Sequence, residues 1–198
     1  VGNPDRKLAD PAPDGVYDVT TVVAGDDTGL RSYQPELAGG PIHLINACLN
    51  QTRDDASGLY NADRKGTLVT ASARGFEIGA RGWSPMREDS DAGTLGRWIA
   101  VSGAAAAPGA GAYTSRGWAL MLYFLGVRLG HWMRTPLPPP TLTPLRRWLW
   151  RSAIKPVMLW SEGTATFFGS ARPWWYLSDG GHFENTGVYA LLKRRVDF

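Results

Sequence analysis

The sequence predicts an α/β protein, and three observations lead there. A short apolar run, Tyr176-Leu177-Ser178, ends in Asp179 and is followed by Gly180-Gly181 and then a helix-like segment from Thr186 to Arg195. Other short apolar or β-branched runs alternate with stretches of helical pattern. The 198 residues, 43% hydrophobic and 20% charged, suffice for one cored domain of ordinary globular composition.

Residues 1–14 contain three prolines and several charges and read as a loop or linker, leaving 15–198 as a single unit. Val16 to Ala24 is a strand candidate closed by Gly25-Asp26-Asp27. Residues 31–40 suggest a short helix ending at Gly39-Gly40, and Pro41 to Asn50 a buried strand. A polar loop over 51–66 leads to strand candidates at Thr67–Ala73 and Phe76–Ile78, separated by a turn at Gly75. Residues 79–93 look irregular, and Thr94 to Ala107 helical until Pro108-Gly109 breaks it. Trp118 to Met133 is apolar nearly all round, which predicts a buried helix, too short for a membrane span and interrupted by Arg128. The proline-rich stretch from Thr135 to Pro144 excludes a regular helix, and Leu145 to Phe168 is helical in part. Trp174 to Ser178 closes the series as a strand, with Asp179 at its carboxyl end, where α/β proteins build their sites.

Composition narrows the function classes. A net charge of +3 suits an anionic membrane surface, but no dense basic run or recognition motif points to nucleic acid. Nine tryptophans suggest large aromatic anchors or a lipid-facing surface. Cys48 is the sole cysteine, so an internal disulfide is excluded and a reducing compartment is expected. His43, His131 and His182 lack zinc-ligand spacing, and no metal or other cofactor is expected. No signal peptide is visible. The chain opens on Val1 and stops at Phe198 where an apolar run begins, and is expected to be a fragment of a longer protein.

Asp179 is the candidate for chemistry. Asp-Gly is a common turn dipeptide, but the preceding strand and the following helix strengthen the assignment. Gly180 and Gly181 are expected to allow positive φ and close approach to the carboxylate, and Asn185 to cap the helix. His182, three residues on, reads better as a structural histidine bonded to the loop than as part of a triad. Ser102 lies in the small-residue stretch Ala100–Gly109, which reads as a tight helix–sheet contact rather than a nucleophile site. No serine sits in a G-x-S-x-G elbow, and no glycine-rich oxyanion loop is present. Glu77, Glu162 and Glu184 lack the paired spacing of a glycosidase. Arg146, Arg147, Trp148, Trp150 and Arg151 interleave charge and indole as interfacial helices do, making them candidate membrane contacts; a half-buried helix with snorkelling arginines is the stronger reading.

Taken in order, the segments Pro41–Asn50, Phe76–Gly79, Ala100–Gly109, Val127–Trp132 and Tyr176–Arg195 resemble the patatin-like phospholipases, in the bacterial branch that is similar to group IV cytosolic phospholipase A. The last block is the specific one. The resemblance implies a three-layer α/β/α domain with a central sheet, of which this chain is the incomplete C-terminal portion. It implies a serine carboxylic-ester hydrolase acting on lipids through a Ser-Asp dyad, with Asp179 as its aspartate. The serine elbow and oxyanion loop would lie in the N-terminal remainder of the same domain, and the fragment alone would be inactive. Lipid or phospholipid is the implied substrate, in a cytoplasmic or membrane-associated protein. A non-catalytic lipid- or membrane-binding module and a degenerate regulatory patatin-like domain remain as alternatives.

Overall fold

The computed structural model describes residues 27–53, 62–85, 93–135 and 144–195, with the backbone alone for 144–153. The loop expected at 1–14, the strand at 16–24 and, of the proline-rich stretch from Thr135 to Pro144, residues 136–143 lie outside the described residues, and Pro144 opens a helix. Strands β1 (Ile45–Asn50), β2 (Gly66–Ser72), β3 (Gly75–Ile78) and β4 (Trp83–Pro85) precede helices α1 (Leu95–Ser102) and α2 (Arg116–Leu125). Strand β5 (His131–Arg134), helix α3 (Pro144–Gly163), strand β6 (Trp174–Asp179) and helix α4 (Val188–Lys193) complete the chain.

The protein is mixed α and β. Its six described strands form one sheet in the order β4-β3-β2-β1-β6-β5, every neighbouring pair antiparallel. β1 is central, with Ala47 opposite Val69 on one side and Asp179 on the other. The period-2 alternation of side chains gives the sheet two distinct faces. On one, Ile45, Ala47, Leu49, Val69, Ala71, Phe76, Ile78, Trp175 and Leu177 are buried with Trp98 and Val101 of α1. These two α1 residues stand three apart, on one side of the helix. On the other face Tyr176 stacks on Phe167 with ring centroids 4.5 Å apart, in a cluster with Ala107, Ala165, Trp132 and, from α2, Ala119.

Several expectations change. The apolar stretch from Trp118 to Met133 is two elements. Gly126 takes the left-handed conformation at φ 71°, with its N–H on Tyr123 O and that of Val127 on Leu122 O. This is a Schellman stop, which satisfies carbonyls the helix end would orphan, and the chain then enters β5. Nor is α2 buried all round: Ala119 and Leu122 face inward, but Leu120, Met121, Phe124 and Leu125 are exposed, Phe124 at 78%. α1 stops at Ser102 rather than Ala107, because Gly103 and the bond from Ala104 N to Val101 O turn the chain. The strand expected over 41–50 begins at Ile45, and the region expected to be irregular contains β4. The segment over 31–40 forms two short 3-10 helices, the second closed by Gly39 at φ 81°. Among the described residues, no helix is long and apolar enough to cross a membrane.

Candidate functional site

Asp179 is the last residue of β6, an internal strand flanked by β1 and β5. Its backbone N–H reaches Ala104 O at 3.4 Å, which ties the strand end to the loop after α1. One carboxylate oxygen, Oδ1, accepts the Gly181 N–H at 2.7 Å. Oδ2 accepts no hydrogen bond among the described residues. The carboxylate opens into a cleft of about 630 Å³ whose walls are His43–Asn46, the C-terminal end of α1 at Ser102 and Gly103, and Glu184–Gly187. Because the neighbouring strand β1 runs the opposite way, this is not the shared carboxyl edge of a parallel sheet. The end of β6 meets the beginning of β1 and the end of α1.

The two glycines serve proximity, not positive φ: neither Gly180 nor Gly181 is among the residues at positive φ. A Cβ on Gly180 would meet the Asn46 carbonyl oxygen at 2.7 Å, so the glycine lets the loop lie on β1. A Cβ on Gly181 would meet the Asn185 side-chain oxygen at 2.3 Å. Asn185 therefore packs over the loop and does not cap the helix. Helix α4 begins at Val188 after Gly187, whose φ of 69° makes the turn. The acceptors at the helix start are Thr186 Oγ1, which takes the Val188 N–H at 3.2 Å, and Glu184, whose carboxylate takes the N–H groups of Thr186 at 2.6 Å and Tyr189 at 3.3 Å, and the Thr186 hydroxyl. These bonds, the Thr186 hydroxyl first, hold its carboxyl below the ordinary carboxylate range.

His182 is built into a directional chain behind Asp179. Asn50 Nδ2 donates to Ser178 Oγ at 2.9 Å, Ser178 Oγ lies 2.9 Å from His182 Nδ1, and His182 Nε2 lies 3.1 Å from Ala105 O. A carbonyl can only accept, so Nε2 carries the proton and Nδ1 accepts from Ser178. Asn50 Oδ1 accepts the Gly111 N–H at 2.9 Å, which fixes the amide orientation. Gly111, at φ 52°, is required there because a Cβ would lie 2.3 Å from His182 O. Burial pushes the His182 imidazole below its usual range, against an opposing pull from Asp179. Sequence reasoning missed Asn50 and Ser178 as members of this chain, although two asparagines in the apolar run Ile45–Asn50 were the available signal.

Ser102, read as a packing residue, lines the same cleft as Asp179. It sits at the C-terminal end of α1, where the helix dipole is negative and an alkoxide is disfavoured. Arg146, Arg147, Trp148, Trp150 and Arg151 fall in the first half of α3, and their side chains lie outside the described residues. Further along α3, Val157 and Trp160 are exposed. Comparison with protein-family models, with characterised proteins and with solved structures gives no match to any of them.

Proposed function

We propose that the chain is the C-terminal part of a patatin-like lipid acyl hydrolase, with Asp179 as general base to a serine outside this sequence. The observation that carries the reading is the state of the Asp179 carboxylate at the end of β6. One oxygen is held by the Gly181 N–H, and the other accepts no hydrogen bond among the described residues and lines an open cleft. A base must be aimed and free on the side of the proton it takes. In the proposed reaction the serine oxygen attacks the ester carbonyl as its proton passes to Asp179 Oδ2. As the tetrahedral intermediate collapses, that proton passes to the departing alcohol, and the regenerated carboxylate then takes a proton from the water that attacks the acyl-serine and returns it to the serine oxygen.

A dyad is favoured over a triad because both nitrogens of His182 are occupied, by Ser178 and by Ala105. A second reading has a specific observation behind it: Ser102 shares the cleft. Its position at a helix C-terminus weighs against it, since the nucleophile of an acyl transfer needs positive, not negative, potential.

The test uses the full-length protein. A fluorophosphonate probe, which labels activated serines, should mark a residue outside 1–198, and Asp179→Asn should abolish both labelling and phospholipid hydrolysis. Labelling at Ser102 would establish the second reading. Full hydrolysis by Asp179→Asn would overturn the role of Asp179, and no labelling or hydrolysis by the folded wild type would favour a non-catalytic module.

A further inference from the structure

At the far end of β1, about 20 Å along a six-residue strand from the Asp179 cleft, the chain forms a second cavity. It encloses about 220 Å³ between the segment after β1, the residue before β2, the first turn of α2 and the turn after α3. Three cationic side chains line it: Arg53, Lys65 and Arg116. Among the described residues, none that lines it is acidic. We propose that this cavity binds a phosphate group, either free phosphate or the phosphate of an anionic lipid headgroup.

The three cations come from separate parts of the chain and are held in different ways. Lys65 is partly buried, and its Nζ is anchored to Thr114 O at 2.8 Å, which leaves two ammonium hydrogens for another acceptor. The anchor also connects the start of β2 to the residue before the N-cap of α2. Arg53 is fixed through its backbone N–H, which donates to Phe167 O at 2.9 Å. Arg116 is the first residue of α2. Among the described residues, the Arg53 and Arg116 guanidinium groups carry no ion pair and no hydrogen bond. The cavity therefore gathers a fixed ammonium and two uncommitted planar forks, a donor set suited to a tetrahedral dianion.

The hydroxyls in the wall are already used. Thr52 Oγ1 donates to Ala165 O at 2.6 Å and accepts the Phe167 N–H at 2.9 Å, and Thr114 Oγ1 accepts the Ala110 N–H at 2.8 Å. They hold the wall in place, and among the described residues no ion pair offsets the charge of Arg53, Lys65 and Arg116. Lys65 and Ala165, two non-glycine residues at positive φ (47° and 52°), both line the cavity. Such conformations are costly for residues with a Cβ and persist where the surroundings over-determine them. Ser115 caps α2 by accepting the Trp118 N–H at 3.2 Å, and since Ser115 and Arg116 line the cavity, the positive dipole end of the helix lies at its wall. The exposed apolar residues of α2 begin at Trp118, two residues after Arg116, and continue through Leu120 and Met121, which gives the headgroup arm of the proposal an adjacent surface for acyl chains.

The experiment measures binding of inorganic phosphate by calorimetry. In parallel, it measures co-sedimentation with phosphatidylcholine vesicles with and without phosphatidic acid. The protein is tested as wild type, as Arg53→Gln/Arg116→Gln, and as Lys155→Gln/Arg134→Gln, which removes the same charge at exposed positions outside the cavity. Saturable phosphate binding that weakens at least about tenfold in the first variant and not in the second supports a site for free phosphate. Binding confined to phosphatidic acid vesicles, with the same dependence on Arg53 and Arg116, supports a headgroup site. Binding to neither probe, or equal losses in the two variants, overturns the proposal. The readout does not involve Asp179 or ester hydrolysis, so its failure is separate from failure of the acyl hydrolase reading.

Discussion

Ser178 Oγ and His182 Nδ1 lie 2.9 Å apart, joined across one turn of the loop that carries Asp179. In the neutral ring Nε2–H donates to Ala105 O and Nδ1 accepts the Ser178 hydroxyl hydrogen. Protonation would turn Nδ1 into a donor; Ser178 Oγ can accept it beside the Asn50 amide hydrogen, but the Ser178 hydroxyl hydrogen would lose its acceptor. Burial acts in the same direction, holding the imidazole below its ordinary range. The unfolded chain therefore takes up this proton first as pH falls. Stability should decline as pH drops below about 6.5, the ordinary histidine value, and continue down through the lowered folded value. Thermal unfolding at pH 7.5 and 5.5 checks this, and His182→Gln should show a smaller difference between the two. Equal pH dependence in both proteins would remove His182 as the cause. In the same chain, Asn50→Leu strands the Gly111 N–H and should cost roughly 2 kcal/mol at neutral pH.

The two loop glycines differ in what they face. A methyl at 180 meets the backbone carbonyl of Asn46, inside the sheet, where nothing can swing aside. Gly180→Ala should destabilise by roughly 1–3 kcal/mol, as overpacking does. A methyl at 181 meets the end of the Asn185 side chain, which is exposed and can rotate away. Gly181→Ala should cost less than about 1 kcal/mol. Urea denaturation of the two variants tests the ranking, and a reversed order would mean that the loop does not rest on β1.

Cys48 gives an independent probe of the same sheet. Its side chain is fully buried, and burial, then the Asp179 charge, pushes the thiol up to about 12. The thiolate is the reactive form, so the native protein should resist a disulfide reagent at pH 8, with modification proceeding only at the rate of opening. Asp179→Asn removes the smaller cause and leaves burial in force, so the protection should persist. Rapid labelling of the folded wild type would show that β1 is accessible.

Parts of this architecture were legible because they are local. The run from Trp174 to Asp179, the strands around Gly75 and the stop at Gly39 follow from short-range pattern and glycine geometry. Strand pairing was not legible, since β1 joins β2 and β6 through contacts far apart in sequence, and no single strand specifies its neighbours. The division at Gly126 was readable in principle as a glycine after an apolar helix, but uniform hydrophobicity hid it. The same uniformity suggested burial where α2 exposes Phe124 and Leu125. At the site, one residue type misled: Asn185 looks like a cap, while Glu184, one position earlier, supplies the capping carboxylate.

Glu162 illustrates a charge whose role the sequence did not announce. It is buried on α3 and accepts from Arg128, whose Nη2 lies 2.9 Å from Oε1 and whose Nε reaches Oε2, and from Trp132 Nε1 at 2.7 Å. The cluster ties α3 to β5 and to the segment leading into it, over the aromatic face of the sheet. Arg128→Ala should leave the carboxylate buried with the indole N–H as its remaining partner. A buried pair broken from one side costs about 3–5 kcal/mol, and solvent screening of the guanidinium, 39% exposed, lowers the expectation to roughly 2–3 kcal/mol. Arg128→Lys should recover part of this, since an ammonium supplies the charge without the planar fork. Glu162→Gln/Arg128→Met should be less destabilised than Arg128→Ala, because no unpaired charge is left buried. Urea unfolding of the three variants checks the order. Arg128→Ala as stable as the wild type would mean that water, not the guanidinium, sustains the Glu162 carboxylate.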